Sequence, residues 1–166
     1  MRRIALLLIC ILILNLCACK KQQEEIQLPT NFYYSTTEIS YNTKSGVINS
    51  EVREGIDFQG NLQLLLQEYL QGPHDLDLQA LIPSDVTIIS CTVTDNAANI
   101  TFSDSFAKLT GIKLSIACSS LLMTINEYSG FDTLSVRAEN SLIDDKDEIT
   151  ITMDDILLLD STKLGE

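Results

Sequence analysis

The sequence predicts an α+β fold: a mixed or antiparallel sheet of four to five strands with two helices packed on one face, an αββαβ core preceded by N-terminal strands. Three observations carry this. Residues 61–73 and 113–130 each repeat apolar side chains at helical spacing. Between them, "IPSDVTIISCTVTDNAANITFS" can fold back on itself so that its apolar residues share one side. Each helix carries one apolar stripe and the hairpin one apolar face, so they satisfy one another when both helices cover the same side of one sheet.

The chain opens with Arg2 and Arg3, then an unbroken apolar run from Ile4 to Leu14. Crossing a bilayer takes about 20 apolar residues, so a membrane-spanning anchor fits this run poorly. A basic start, an apolar middle and small residues near a cleavage point describe an export signal. The run ends in "LCACKK", Leu16 to Lys21. "LCAC" resembles a bacterial lipobox, with Leu16 three residues before Cys19 and the small Ala18 just before it. The competing frame, ending at Cys17, would put the bulky Leu16 in the small-residue slot. The resemblance implies that Cys19 carries a diacylglycerol and begins the mature chain. Two acyl chains hold a protein stably at a membrane where one does not, and Lys20 and Lys21 would lie at the headgroups. Residues 1–18 are thus expected to be a signal peptide, 19–29 a polar tether, and the location the extracytoplasmic face of a bacterial membrane.

Strands follow. "NFYYSTTEISY" is aromatic and β-branched, with Phe32 and Tyr34 on one face. A polar turn is expected around Asn42 to Gly46, then a second strand in "GVINSEVREG". In "NLQLLLQEYLQGP", Leu62, Leu65, Leu66, Tyr69 and Leu70 form a helical stripe, Asn61 is the N-cap, and Gly72-Pro73 ends the helix. With Asp95-Asn96 as a two-residue turn, Val93 faces Ala98, Cys91 faces Ile100 and Ile89 faces Phe102. The opposite face then presents Ser90, Thr92 and Thr94 against Asn99, Thr101 and Ser103. The second helix puts Leu114, Ala117, Cys118, Leu121, Ile125 and Tyr128 on one stripe, leaves Ser119, Ser120, Asn126 and Glu127 mostly on the wet side, and ends at Gly130. "DTLSVRAEN" reads as a strand with Leu134 and Val136 inward. The domain so defined spans 30–141. Residues 142–166 form an acidic C-terminal extension, with one added strand in "DDKDEITITMDD" and then "ILLLDS" against a sheet edge or bottom.

The 166-residue chain carries 11 Lys and Arg against 23 Asp and Glu, a formal charge of −12. Loss of residues 1–18 removes two arginines and no acid, leaving −14. Such a body does not attract nucleic acid. No catalytic constellation, cofactor motif or metal-ligand spacing stands out. His74 is the only histidine and has no nucleophile elbow beside it. Cys91 and Cys118 are both placed in the core, as free thiols or as one disulfide, which export permits. Asp144, Asp145, Asp147 and Glu148 lack the glycine and closing glutamate of a calcium loop and read as a solvated turn. The "NIT" at Asn99 matches a glycosylation sequon, but a bacterial lipobox makes it irrelevant.

"YLQGP", then "IPSDVTIISCTVTDNAANITFS" followed by Phe106, and a long helix ending in "YSGFDTLSVR" together resemble the GerMN domain of sporulation and spore-germination proteins, from about Asn31 to Asn140. Asn96 stands where that family carries glycine and Thr101 where it carries aspartate. The stretch Asn61 to Asn140 also resembles the ring-building modules of the channel joining mother cell and forespore. The resemblance implies a non-catalytic envelope module, often a lipoprotein, that binds an envelope protein or a peptidoglycan-associated partner, or self-associates. The hydroxyl-rich face, Ser90, Thr92, Thr94, Asn99 and Thr101, is the candidate partner surface. A peptidoglycan hydrolase, or its accessory subunit, is the competing expectation, and it requires two positioned carboxylates.

Overall fold

A computed structural model describes residues 29–37, 46–56, 58 and 60–156. The signal, the lipobox, most of the tether, the Asn42 turn apart from Gly46, and the chain beyond Ile156 lie outside these described residues.

The elements are β1 (Thr30–Thr36), β2 (Ile48–Arg53), α1 (Leu62–Tyr69), β3 (Leu78–Gln79), β4 (Ile88–Thr94), β5 (Ala97–Phe102), a 3-10 helix (Asp104–Lys108), α2 (Gly111–Ser129), β6 (Thr133–Ala138), β7 (Ile149–Thr152) and a short α3 (Met153–Ile156). The α+β class and the αββαβ order stand. The strands divide into two sheets, one of order β2-β1-β3 and one of order β4-β5-β6-β7. The N-terminal strands therefore build a sheet of their own instead of extending the main one. In the four-stranded sheet β4–β5 and β6–β7 are antiparallel, and β5–β6 is parallel, as the crossover through α2 requires.

The two sheets bury α2 from both sides. One side meets Ala98, Ile100, Phe102, Leu134 and Val136 of the large sheet, and the other meets β1. This overturns the wet side expected for Ser119 and Ser120: both are buried, with Ile116, Leu122 and Thr124. Thr124 is put to use there. The first half of β1 has no strand partner on the α2 side, and Tyr33 N–H donates to Thr124 Oγ1 at 2.9 Å. Thr124 in turn donates to Ser120 O at 3.0 Å. Glu127 stays exposed and accepts from Asn31 Nδ2 at 3.0 Å.

The helix ends behave as their residues dictate. Asn61 Oδ1 accepts the Gln63 and Leu64 N–H groups at 2.9 and 3.3 Å. Gly130 closes α2 at φ 75°, its N–H donating to Asn126 O at 2.7 Å. Leu62, Leu65, Leu66 and Tyr69 of α1 are buried beside α2 and β4.

The hairpin register holds for Val93↔Ala98 and Cys91↔Ile100, with Asp95 at φ 52° in the turn. The expected Ile89–Phe102 pair does not form. A bulge between Ile88 and Ser90 sets Ile88 opposite Phe102 and leaves Ile89 47% exposed. The extra residue brings Thr87 to Ser103, where Ser103 N–H donates to Thr87 O and Thr87 N–H to Ser103 Oγ.

Candidate functional site

The outer face of the four-stranded sheet presents a run of polar side chains across adjacent strands. Residues directly opposite each other across β4, β5, β6 and β7 fall in rows. Ser90 pairs with Thr101 and Thr101 with Arg137; Thr92 pairs with Asn99, Asn99 with Ser135, and Ser135 with Thr150. The first row extends the face expected from the hairpin alone onto β6, and the second extends it onto β6 and β7. Ser90, Thr92 and Thr94 are exposed, and Asn99 and Thr101 are half-buried.

Two depressions open on this surface. One of about 290 Å³ is lined by Ser90, Thr92, Asn99, Thr101, Ser135 and Glu148, among others. A second of about 540 Å³ lies at the end of β6, along residues 138–142. Thr101 and Arg137 line both, so they form the rim between them. Arg137 is ion-paired with Glu148 across β6 and β7. Its hydrogen bond holds the Glu148 carboxyl below the ordinary glutamate range, so Glu148 is ionised at neutral pH. Ser135 and Thr150 share a hydroxyl hydrogen bond of 2.9 Å. The face thus combines fixed hydroxyls, one amide and one ion pair, a set able to donate and accept many modest hydrogen bonds.

A third depression, a groove of about 530 Å³, runs between the start of α2 and β7, with Leu114, Cys118, Ile149 and Ile151 on its apolar side and Asp144, Lys146 and Asp155 on its polar side.

Among the described residues, Cys91 and Cys118 are both free cysteines. Burial pushes the Cys118 thiol up to about 12 and raises that of half-buried Cys91 as well, so both are held as thiols at neutral pH. His74 lies exposed in the loop after α1, and its backbone N–H donates to Glu51 Oε2 at 2.8 Å. Asp144 and Asp145 both adopt positive φ, at 51° and 65°, as the two central residues of a tight turn closed by Ile143 and Lys146. Among the described residues no group of three His, Cys, Asp or Glu is arranged to hold a metal ion.

The carboxylates with resolved shifts serve as acceptors. Asp104 is lowered by the Asn140 N–H, Asp155 by the Thr152 N–H, and Asp85 by its hydrogen bonds with Lys108 and Ser105. Burial pushes Glu51 upward, but the Asp75 and His74 N–H groups and Arg53 together outweigh it and hold the carboxyl low. A general acid needs the reverse, a carboxyl raised toward neutrality.

Sequence reasoning missed the cluster around Arg53. This side chain is 3% exposed and reaches Glu51 at 2.6 Å, Glu68 at 2.7 Å and the Gly72 carbonyl at 2.6 Å. Its guanidinium lies 4.4 Å from the centre of the Phe32 ring. The sequence carries one faint signal of it: the acid-x-basic spacing of Glu51 and Arg53, which in a strand puts both on one face.

The family model described as Germane, sporulation and spore germination, matches residues 31–144. A candidate lipoprotein from Clostridium perfringens shares the fold at TM-score 0.50 and 19% identity, over 78% of this chain and 89% of that one. The tandem GerMN domains of the sporulation protein GerM from Bacillus subtilis superpose at TM-score 0.54 and 18% identity, over 81% of this chain and 48% of the tandem. No curated protein sequence matches the chain.

Proposed function

Because this chain belongs to the sporulation and spore germination family, we propose that it is a lipid-anchored, extracytoplasmic GerMN-type module with a non-catalytic binding or assembly role in the cell envelope. The observation that carries the reading is the open polar face of the four-stranded sheet, with Thr101 and Arg137 shared by its two depressions.

The anchor reading rests on Cys19 and its flanking residues. Among the described residues no helix is long and apolar enough to cross a membrane. The similarity to a candidate lipoprotein supports the anchor reading. A tether of residues 19–29 would place β1, and with it the domain, within a few tens of ångströms of the bilayer, since an extended chain spans about 3.3–3.6 Å per residue.

The face suits an extended polar partner, a peptide strand of an envelope protein or a peptidoglycan-associated surface. Most of its side chains are short, and the long Arg137 and Glu148 are paired with one another, which limits the conformational entropy lost when they engage. The test is capture of partners from envelope extracts by the full chain and by a Thr92→Lys/Thr101→Lys variant. Loss of a specific partner in the variant supports the face as the working surface. An unchanged set of partners removes it. A Cys19→Ser chain that still partitions with the membrane as a lipidated species would overturn the anchor.

A further inference from the structure

We infer that two copies of this chain pair edge to edge through β4, antiparallel about a two-fold axis at Cys91. The inference concerns a sheet edge and does not depend on the polar face binding a partner.

β4 pairs with β5 on one side only and lies at the end of the four-stranded sheet. Exposed edges are normally guarded by charge, proline, shortness or a cover. The opposite edge, β7, is four residues long and flanked by Glu148, Asp154 and Asp155. In the three-stranded sheet, edge strand β2 carries Glu51 and Arg53. β4 is seven residues, Ile-Ile-Ser-Cys-Thr-Val-Thr, with no charge and no proline. From Val86 to Thr94 no Asp, Glu, Lys or Arg occurs, in a chain of net charge −12. Two such acidic bodies repel across most approaches, and this edge is a neutral place for them to meet. Ile89 and Val93 are each 47% exposed on it.

The geometry selects a register. Thr94 and Ala97 flank the two-residue turn and form its hydrogen-bonded pair, so Thr94 and Thr92 turn their backbone groups toward β5. The alternate residues, Cys91 and Val93, turn theirs to the open edge. A partner strand centred on Cys91 engages those groups. Counted along the strand, it also sets Ile89, at the bulge, opposite Val93 of the second copy and Val93 opposite its Ile89, which brings both exposed apolar side chains to the seam. Ser90 meets Thr92 of the second copy, so the two polar faces join into one eight-stranded surface. Asp95 faces Thr87, and no like charges are opposed. A heterologous strand could occupy the same edge, but the pairing of Ile89 with Val93 about one centre is what a second copy supplies.

The same register brings the two Cys91 Cα atoms to about 5.5 Å, the spacing of a hydrogen-bonded antiparallel pair. That lies inside the range of about 4.4–6.8 Å that a disulfide bridges. Cys91 therefore reports the interface. Membranes holding the full chain are treated with diamide, which takes up two electrons and two protons as each S–S bond forms. The expected product is a dimer-mass species on non-reducing gels, present in wild type and Cys118→Ser, absent in Cys91→Ser. Sedimentation of the full chain in detergent is expected to show a dimer that Val93→Lys and, separately, Ile89→Lys each convert to monomer with unchanged circular dichroism. Three results overturn the proposal: a monomer at all concentrations, a dimer that survives both lysine variants, or Cys91 linked to a different protein and never to itself.

Discussion

The Arg53 guanidinium donates to the Gly72 carbonyl at 2.6 Å, tying the end of β2 to the turn that terminates α1. The same guanidinium holds Glu68 on α1 and Glu51 on its own strand. Glu51 uses its other oxygen to accept the His74 and Asp75 N–H groups, both at 2.8 Å. The Gly-Pro at the end of α1 is therefore more than a helix stop. Gly72, at φ 85°, turns a carbonyl toward a buried cation.

Removing Arg53 strands its partners. Arg53→Met removes the cation from Glu51, which keeps its two backbone donors, and leaves the Gly72 carbonyl without its guanidinium donor; breaking a buried pair of this kind costs about 3–5 kcal/mol. Arg53→Lys keeps the charge but loses the planar fork, and is expected to recover only part of the loss. Urea unfolding of the two variants against wild type checks both, and Arg53→Met as stable as wild type would refute the role.

The cluster also makes stability sensitive to acid. Glu51 in the folded chain titrates below its ordinary value of 4.5. Its contribution is fully present above that value and is lost as pH falls through the lower folded value. Stability measured from pH 6 down to pH 2 is expected to fall less steeply in Glu51→Gln than in wild type, with the two curves differing most above pH 4.5.

Gly130 sits at φ 75° with open space around its missing Cβ. Gly130→Ala introduces no clash, so its whole effect is backbone strain, about 1–2 kcal/mol for an L-residue in the left-handed region. Thermal unfolding is expected to show that loss, and an unchanged midpoint would mean that the α2 terminus relaxes to another cap.

Cys118 is 1% exposed and its thiol is pushed up to about 12. Because the thiolate is the reacting species, iodoacetamide at pH 8 is expected to modify Cys91 well before Cys118 in the native chain. Equal labelling only after denaturant, read by peptide mass, confirms the order. Rapid native labelling of Cys118 would contradict the burial.

The legible parts of the fold were those whose pattern is local. The stripe of α1, its Asn61 cap, the Gly130 cap and the Cys91–Ile100 register all follow from spacing within one segment. The illegible parts depend on partners far along the chain. Ser119 and Ser120 look solvent-facing because two serines on a helix usually are, and only β1, some 85 residues earlier, makes that face interior. The bulge at Ile89 answers to the Thr87–Ser103 bonds, which periodicity cannot express. Leu78–Gln79 is too short to carry a pattern. At the candidate site, the hydroxyls of β4 and β5 were readable from the hairpin, whereas Arg137 and Ser135 joined them only through a parallel pairing that no local signal encodes.

The position of β1 has a mechanical consequence. It is the first described strand, held by six backbone pairings to β2 and by the Tyr33–Thr124 bond to α2. Tension arriving through the preceding residues must enter the body there, and it is shared between a ladder and a helix that is itself clamped between two sheets. A module built this way can bear load at the start of β1 without first opening the outer face of its four-stranded sheet.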